Sequence, residues 1–322
     1  MVYQGEMLME NLIFSLNATA PIFLLMALGL LFKKLNIIDE AFAARLNKFV
    51  FLIPLPVLVF EDLANVDFRE VWDGKFVLFC FAATLLSISL AAAVSLIWRG
   101  TSIQGEFIQA SYRSSAALLG VALIQNIYGS AGMAPLMIIG SVPLYNIMAV
   151  TVLSFSGPKQ KNAGRPMWKK TFKAIITNPI ILGIAAGILW SLLRLPMPPI
   201  LEKTVSNISG MATPLGLIAM GATFDIKKVS GRIAPAVTAS FIKLIGLAAL
   251  FLPAAVFLGF RAEKLVAILV MLGSATTVSC FVMAKNMGHE GTMTSATVML
   301  TTLFAAFTLT GWLCILKSLG LL

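Results

Sequence analysis

Two halves of this chain carry the same punctuation. A shift of 158 residues places Pro21, Ile22, Leu24, Ala27, Gly29, Leu31 and Leu35 on Pro179, Ile180, Leu182, Ala185, Gly187, Leu189 and Leu193 without a gap. The register continues to Pro56 on Pro214 and Asp67 on Asp225, with Arg69 opposite Lys227. One residue later, at a shift of 159, Ser115, Gly129 and Gly132 meet Ser274, Gly288 and Gly291, and Leu144 and Thr151 meet Leu303 and Thr310. Shared Pro and Gly are informative at low identity because they mark backbone positions rather than general apolar character. If each half crosses a bilayer an odd number of times, the halves face opposite ways, as in alternating-access carriers.

A bilayer is what the composition requires. With 59% hydrophobic and 12% charged residues and a mean hydropathy of +0.93, the chain is too apolar for a soluble domain of 322 residues. A spanning helix needs about 20 apolar residues. Ten such windows are present, at 11–32, 43–61, 74–98, 106–128, 133–155, 171–194, 200–222, 232–259, 263–285 and 293–319. The expected fold is therefore an all-α membrane protein of ten transmembrane helices in two inverted five-helix repeats. Residues 1–155 form the first repeat, 156–170 a basic cytoplasmic linker and 171–322 the second repeat. Glu6 and Glu10 ahead of the first window, and the length of its apolar run, argue against a signal peptide.

The net charge of +10 follows topology and implies no nucleic-acid partner. Of 24 Lys and Arg residues, fifteen fall on inner loops and seven on outer segments when both termini are placed outside, which satisfies the positive-inside rule. Cys80, Cys280 and Cys314 lie inside windows without motif spacing and read as small apolar residues. The lone histidine, His289, lies in an inner loop, so no His-based metal site or relay is indicated and no cofactor is expected.

All 14 acidic residues fall in loops or within about a turn of a window's end, which leaves no carboxylate at an expected midplane. Arg113 and Lys243, in contrast, lie about seven and eleven residues into the fourth and eighth windows. A charge at that depth costs about 2.5 to 3.5 kcal/mol on insertion scales, so each should face a partner, water or a bound anion, or else snorkel to the headgroups.

Windows four and nine have small, hydroxylic centres: Ser114, Ser115, Ala116, Ala117 and Gly120 in one, and Gly273, Ser274, Ala275, Thr276, Thr277 and Ser279 in the other. Such residues lower helix propensity and permit close backbone approach. The expectation is that both helices unwind near the midplane and offer N–H groups and hydroxyls to a substrate. Asn146, deep in the fifth window, is a candidate polar ligand, and Pro54, Pro56 and Pro214 should kink windows two and seven.

The stretches LNKFVFLIPLPVLVF, YRSSAALLGVAL, VPLYNIMAVTVL, NPIILGIAAGIL, TPLGLIAMGATF and SATTVSCFVMAKNMG resemble, in order and over nearly the whole chain, the auxin efflux carrier family. That family includes plant PIN auxin exporters and bacterial permeases assigned to malate, malonate and related acids. The resemblance implies a scaffold of spans one, two, six and seven. It also implies a transport domain of spans three to five and eight to ten, with broken spans four and nine crossing at the substrate site, and a homodimer through the scaffold. Where family members place an Asn and a Pro in span four this chain has Ser115 and Ala122, and in span nine Ala275 and Ser279 replace the family's Pro and Asn. Any break must then rely on Gly and Ser.

Together these readings predict a secondary active transporter that moves a small organic anion, a mono- or dicarboxylate, across the cell membrane by an elevator motion. The candidate substrate-binding residues are Arg113, Ser114, Ser115, Gly120, Asn146, Lys243, Ser274, Thr276, Thr277 and Ser279. A bile-acid-type sodium symporter or a non-transporting sensor on a carrier fold are the rival readings. An enzyme is not expected, since no paired carboxylates, Ser–His pair or metal cluster lies within the apolar windows.

Overall fold

The computed structural model describes residues 21–64, 72–101, 103–116, 121–129, 132–156, 176–224 and 232–322. Gly120, Asp67, Arg69, Asp225, the segment with Glu6 and Glu10, and nearly all of the basic linker lie outside the described residues. Every described element is helical. In chain order they are α1 (21–34), α2 (Glu40–Leu52), α3 (Pro54–Ala64), α4 (Gly74–Ser95), α5 (Gln104–Tyr112), α6 (Val121–Tyr128), α7 (Ala134–Ser156), α8 (Pro179–Leu193), α9 (Pro199–Gly210), α10 (Ala212–Thr223), α11 (Ile233–Phe241), α12 (Leu247–Phe257), α13 (Ala262–Gly273), α14 (Ser279–Asn286) and α15 (Thr292–Ser318). A π turn at Ile242–Gly246 joins α11 to α12.

Among the described residues, five helical stretches are long and apolar enough to cross a membrane: Glu40–Ala64, Gly74–Trp98, Ala134–Ser156, Ile233–Phe257 and Thr292–Ser318. Windows four and nine each divide into two short helices, and window seven divides into α9 and α10 at Met211. Window two bends between α2 and α3 at Ile53, just before Pro54. The 158-residue shift maps Ile53 onto Met211, so the second span of each half bends at the same place. Proline at the start of α3 accounts for one bend, since it needs no N–H there and its ring would clash one turn further in.

Close backbone approach explains the shared glycines. A Cβ on Gly29 in α1 would stand 2.2 Å from the Ile218 carbonyl oxygen of α10, and one on Gly187 in α8 would stand 2.8 Å from the Phe60 oxygen of α3. The shift of 158 carries Gly29 to Gly187 and Phe60 to Ile218, so each half lends its first helix to the second helix of the other by the same contact. α3 packs on α8 and α9, and α2 on α10, in one group of helices. α4, α5 and α7 pack together, α11 to α13 and α15 pack together, and α5 meets α11 and α15 to join them in a second group. α14 touches α2 and α10 and bridges the groups.

α13 is enclosed on every side from Leu265 to Gly273. Leu182, Leu189, Leu192, Ile200, Phe241 and Phe257 are exposed, an apolar outer surface that suits hydrocarbon, where helices satisfy their own backbone.

Two glutamates, which the sequence places only at window ends, lock helix starts. Glu106 in the first turn of α5 accepts from Gly291 N at 2.8 Å, Thr294 N at 3.0 Å and Thr294 Oγ1 at 2.9 Å at the start of α15. Glu263 in the first turn of α13 accepts from Met133 N at the start of α7. Each broken span thus begins with a carboxylate that caps the last helix of the opposite half, where the helix dipole favours negative charge. His289 is buried rather than solvated, with Nε2 3.0 Å from Leu153 O.

Candidate functional site

Both broken spans leave the helix within two residues of positions that the 159-residue shift relates. α5 ends at Tyr112 and α13 at Gly273, and the following Arg113 (φ −75°, ψ 123°) and Ser274 (φ −75°, ψ 165°) are extended. The two extended stretches cross and pair. Ser115 N–H donates to Ala275 O at 2.9 Å, and Ser114 and Thr276 form an antiparallel bridge.

A helix that stops inside a membrane leaves carbonyls to be satisfied, and here side chains do so without proline. Met271 O accepts from Ser114 Oγ and, at 3.0 Å, from Tyr145 OH. Leu272 O accepts from Lys243 Nζ. Ala110 O accepts from Thr276 Oγ1 at 2.8 Å, and Thr276 N donates to Thr301 Oγ1 at 3.0 Å. Ser114 and Thr276 are therefore among the partners that hold the break open.

Arg113 lies at the centre of this crossing, 2% exposed. Its Nη2 donates to Asn146 Oδ1 at 2.8 Å and to Ser279 Oγ at 2.9 Å. Nη1 points to Gln109 Oε1, at 3.5 Å, and to the Met283 sulfur. Nε has no partner among the described residues, and no described carboxylate pairs with the guanidinium. A buried guanidinium held by neutral acceptors keeps its charge uncompensated and retains donor capacity for an anion.

That guanidinium faces a cavity of about 60 Å³. Leu55, Val59 and Asp62 of α3 and Ala212 and Thr213 of α10 form one wall; Arg113, Ser114, Ser115, Tyr145, Asn146, Thr277 and Ser279 form the other. A space of that size takes only a few waters, so a bound dicarboxylic acid would draw the walls apart. Thr277 Oγ1 and Ser279 Oγ are 3.2 Å apart on the rim of α14.

Six of the expected residues, Arg113, Ser114, Ser115, Asn146, Thr277 and Ser279, thus come together on the cavity. Ser274 and Thr276 are buried in the crossing and do not line it. Lys243 is also fully buried and absent from the lining, bound instead to the end of α13. Asp62, within a turn of the end of α3 as the sequence places it, nevertheless lines the cavity. Hydropathy ends the second window at residue 61, whereas α3 continues to Ala64 and carries Asp62 within the helix. Tyr145 and Thr213 were also not expected; YN and TP in the quoted motifs were their only signal.

Comparison with known proteins agrees with the architecture. A family described as "Membrane transport protein" matches residues 14–313. A protein of Rhizobium meliloti (strain 1021) named "Putative malonate transporter" is 26% identical over 310 residues, covering 92% of this chain and 94% of that one. An "Uncharacterized transporter" of Methanothermobacter thermautotrophicus is 22% identical over 240 residues, covering 72% of this chain and 75% of its own. With a buried cation at a crossing of broken helices and a match along nearly its full length, this chain belongs to the membrane transport protein family, the auxin efflux carriers that its motifs resemble.

Proposed function

We propose that this protein is a secondary active transporter that carries a small mono- or dicarboxylate across the cell membrane, with Arg113 as the group that binds the carboxylate. The observation that carries the reading is a buried guanidinium, paired only with neutral acceptors, at a cavity between two packed groups of helices. One carboxylate would exchange the Asn146 and Ser279 contacts for charge-assisted bonds, and Thr277 and Ser115 would supply further donors. The relative named for malonate supports a dicarboxylate.

The repeat-related contacts of Gly29 and Gly187, and the bends at Ile53 and Met211, support two inverted halves of five spans each. In this reading α1 to α3 and α8 to α10 are the scaffold. The helices of the second group move against it as an elevator, carrying Arg113 past Asp62 and Thr213 with both termini outside. A second copy meeting the scaffold helices completes a homodimer.

Uptake of radiolabelled malonate into proteoliposomes tests the assignment. Wild type should accumulate label, and Arg113→Ala should lose about tenfold or more, since removing a charged hydrogen-bond partner costs about 1.5 to 3 kcal/mol. Arg113→Lys should fall between the two. Undiminished uptake by Arg113→Ala would remove Arg113 from the site.

A further inference from the structure

The second buried cation faces away from the cavity. Lys243 is 0% exposed, sits in the π turn between α11 and α12, and donates from Nζ to Leu272 O, in the last turn of α13. A π turn inserts an extra residue into the helical ladder and is often found at functional sites. The Leu244 carbonyl in this turn accepts from Trp312 Nε1 of α15 at 3.2 Å. Helix α15 thus supports the bulge that directs Lys243 at the crossing.

The end of a broken helix inside a membrane gathers unpaired carbonyls and the negative end of the helix dipole, and carriers commonly place a coupling cation there. In this chain the oxygens nearest Lys243 at that end include Leu272 O, which accepts from it, and Ser274 Oγ lies two residues on. The Ser274 oxygen is fully buried and without a partner among the described residues. No described carboxylate pairs with Lys243, so what it meets at the crossing is backbone oxygen.

We propose that the Lys243 ammonium is a tethered substitute for a coupling cation, occupying the carbonyl end of α13 so that the crossing forms without sodium. The repeat places Thr84 opposite Lys243, and Thr84 Oγ1 is 3.9 Å from the Met271 sulfur, so only the second half carries the tether. Lys243 is a positioning residue in this account. It sets the end of α13, and through the Ser115 N to Ala275 O pairing it sets the strand that holds Arg113.

The proposal rests on the transporter reading for its effect on flux, but part of its test does not. Purified protein is compared by thermal unfolding in sodium chloride, choline chloride and propylammonium chloride at equal ionic strength, and by malonate uptake in the same salts. Wild type should unfold at the same temperature in all three and transport equally with sodium or choline. Lys243→Ala should be destabilised and slowed about tenfold, the cost of one charged hydrogen-bond partner. Sodium or propylammonium, but not choline, should restore part of both, because a ligand that binds only the folded state stabilises it. Lys243→Met, which fills the space, should be slow and insensitive to cations.

Sodium stabilisation of wild type, sodium-dependent uptake by wild type, normal uptake by Lys243→Met, or loss in Lys243→Ala that no cation restores would each overturn the proposal. If Lys243→Ala does not fold, the wild-type comparison and Lys243→Met still decide. If wild type moves no acid, the transport reading fails while the unfolding series still tests the tether.

Discussion

Arg113 and Asp62 line one small cavity. The guanidinium sits on the crossing beside Asn146 and Ser279, which can also donate to an anion, while Asp62 lines the cavity from α3. Charges in a low-dielectric space interact more strongly than in water, so an ionised Asp62 would oppose the bound anion and favour its release. Asp62→Asn should therefore lower the KM for malonate several-fold, without raising the maximal rate, in uptake measured at matched protein levels; an unchanged KM would mean that Asp62 and the substrate do not share the cavity. The sequence showed which side chains could make a site but not which way they face. Lys243 and Arg113 both read as deep cations, yet one binds a helix end and the other the cavity. Their difference lies in a π turn, which leaves no pattern in residue type.

At the scale of elements, glycines shared between the halves have a conformational cause. Gly129, Gly132, Gly288 and Gly291 adopt φ of +75°, +41°, +85° and +72°, a region costly to residues with a Cβ. The 159-residue shift pairs Gly129 with Gly288 and Gly132 with Gly291, so the same turns precede the last helix of each half. Gly129→Ala meets open space and should cost about 1 to 2 kcal/mol from the backbone alone. Gly132→Ala should cost more, because its Cβ would fall 1.3 Å from Glu263 Oε1 and displace the carboxylate that caps Met133. Thermal unfolding in detergent ranks the two, and an equal loss would remove Glu263 as the cap. This much was legible, because Gly and Pro report backbone directly. The Glu106 and Glu263 caps were not, since their partners lie more than a hundred residues away in sequence.

For the whole molecule, two groups of helices meet at the cavity and again where α2 touches α14. There Asn286 Nδ2 donates to Asn47 O at 3.1 Å, and Asn47 Nδ2 donates to Val282 O at 3.4 Å. These contacts join the proposed scaffold to the proposed moving group, so the proposed motion would break them. With Cys80, Cys280 and Cys314 replaced, a short cross-link between Asn47→Cys and Asn286→Cys should stop malonate uptake, and its cleavage should restore it. Uptake that continues through the cross-link would place the motion elsewhere. The repeat in the sequence indicated which backbone positions the halves share, whereas the tightness of the cavity came only with side chains packed around it.

The most direct test of the central claim is a density map of the protein with malonate bound. The account predicts a carboxylate against the Arg113 guanidinium, within reach of Ser115, Asn146 and Thr277 and with the α3 and α10 wall drawn back to admit it. Density for the acid away from the crossing, with Arg113 still bonded to Asn146 and Ser279, would contradict it.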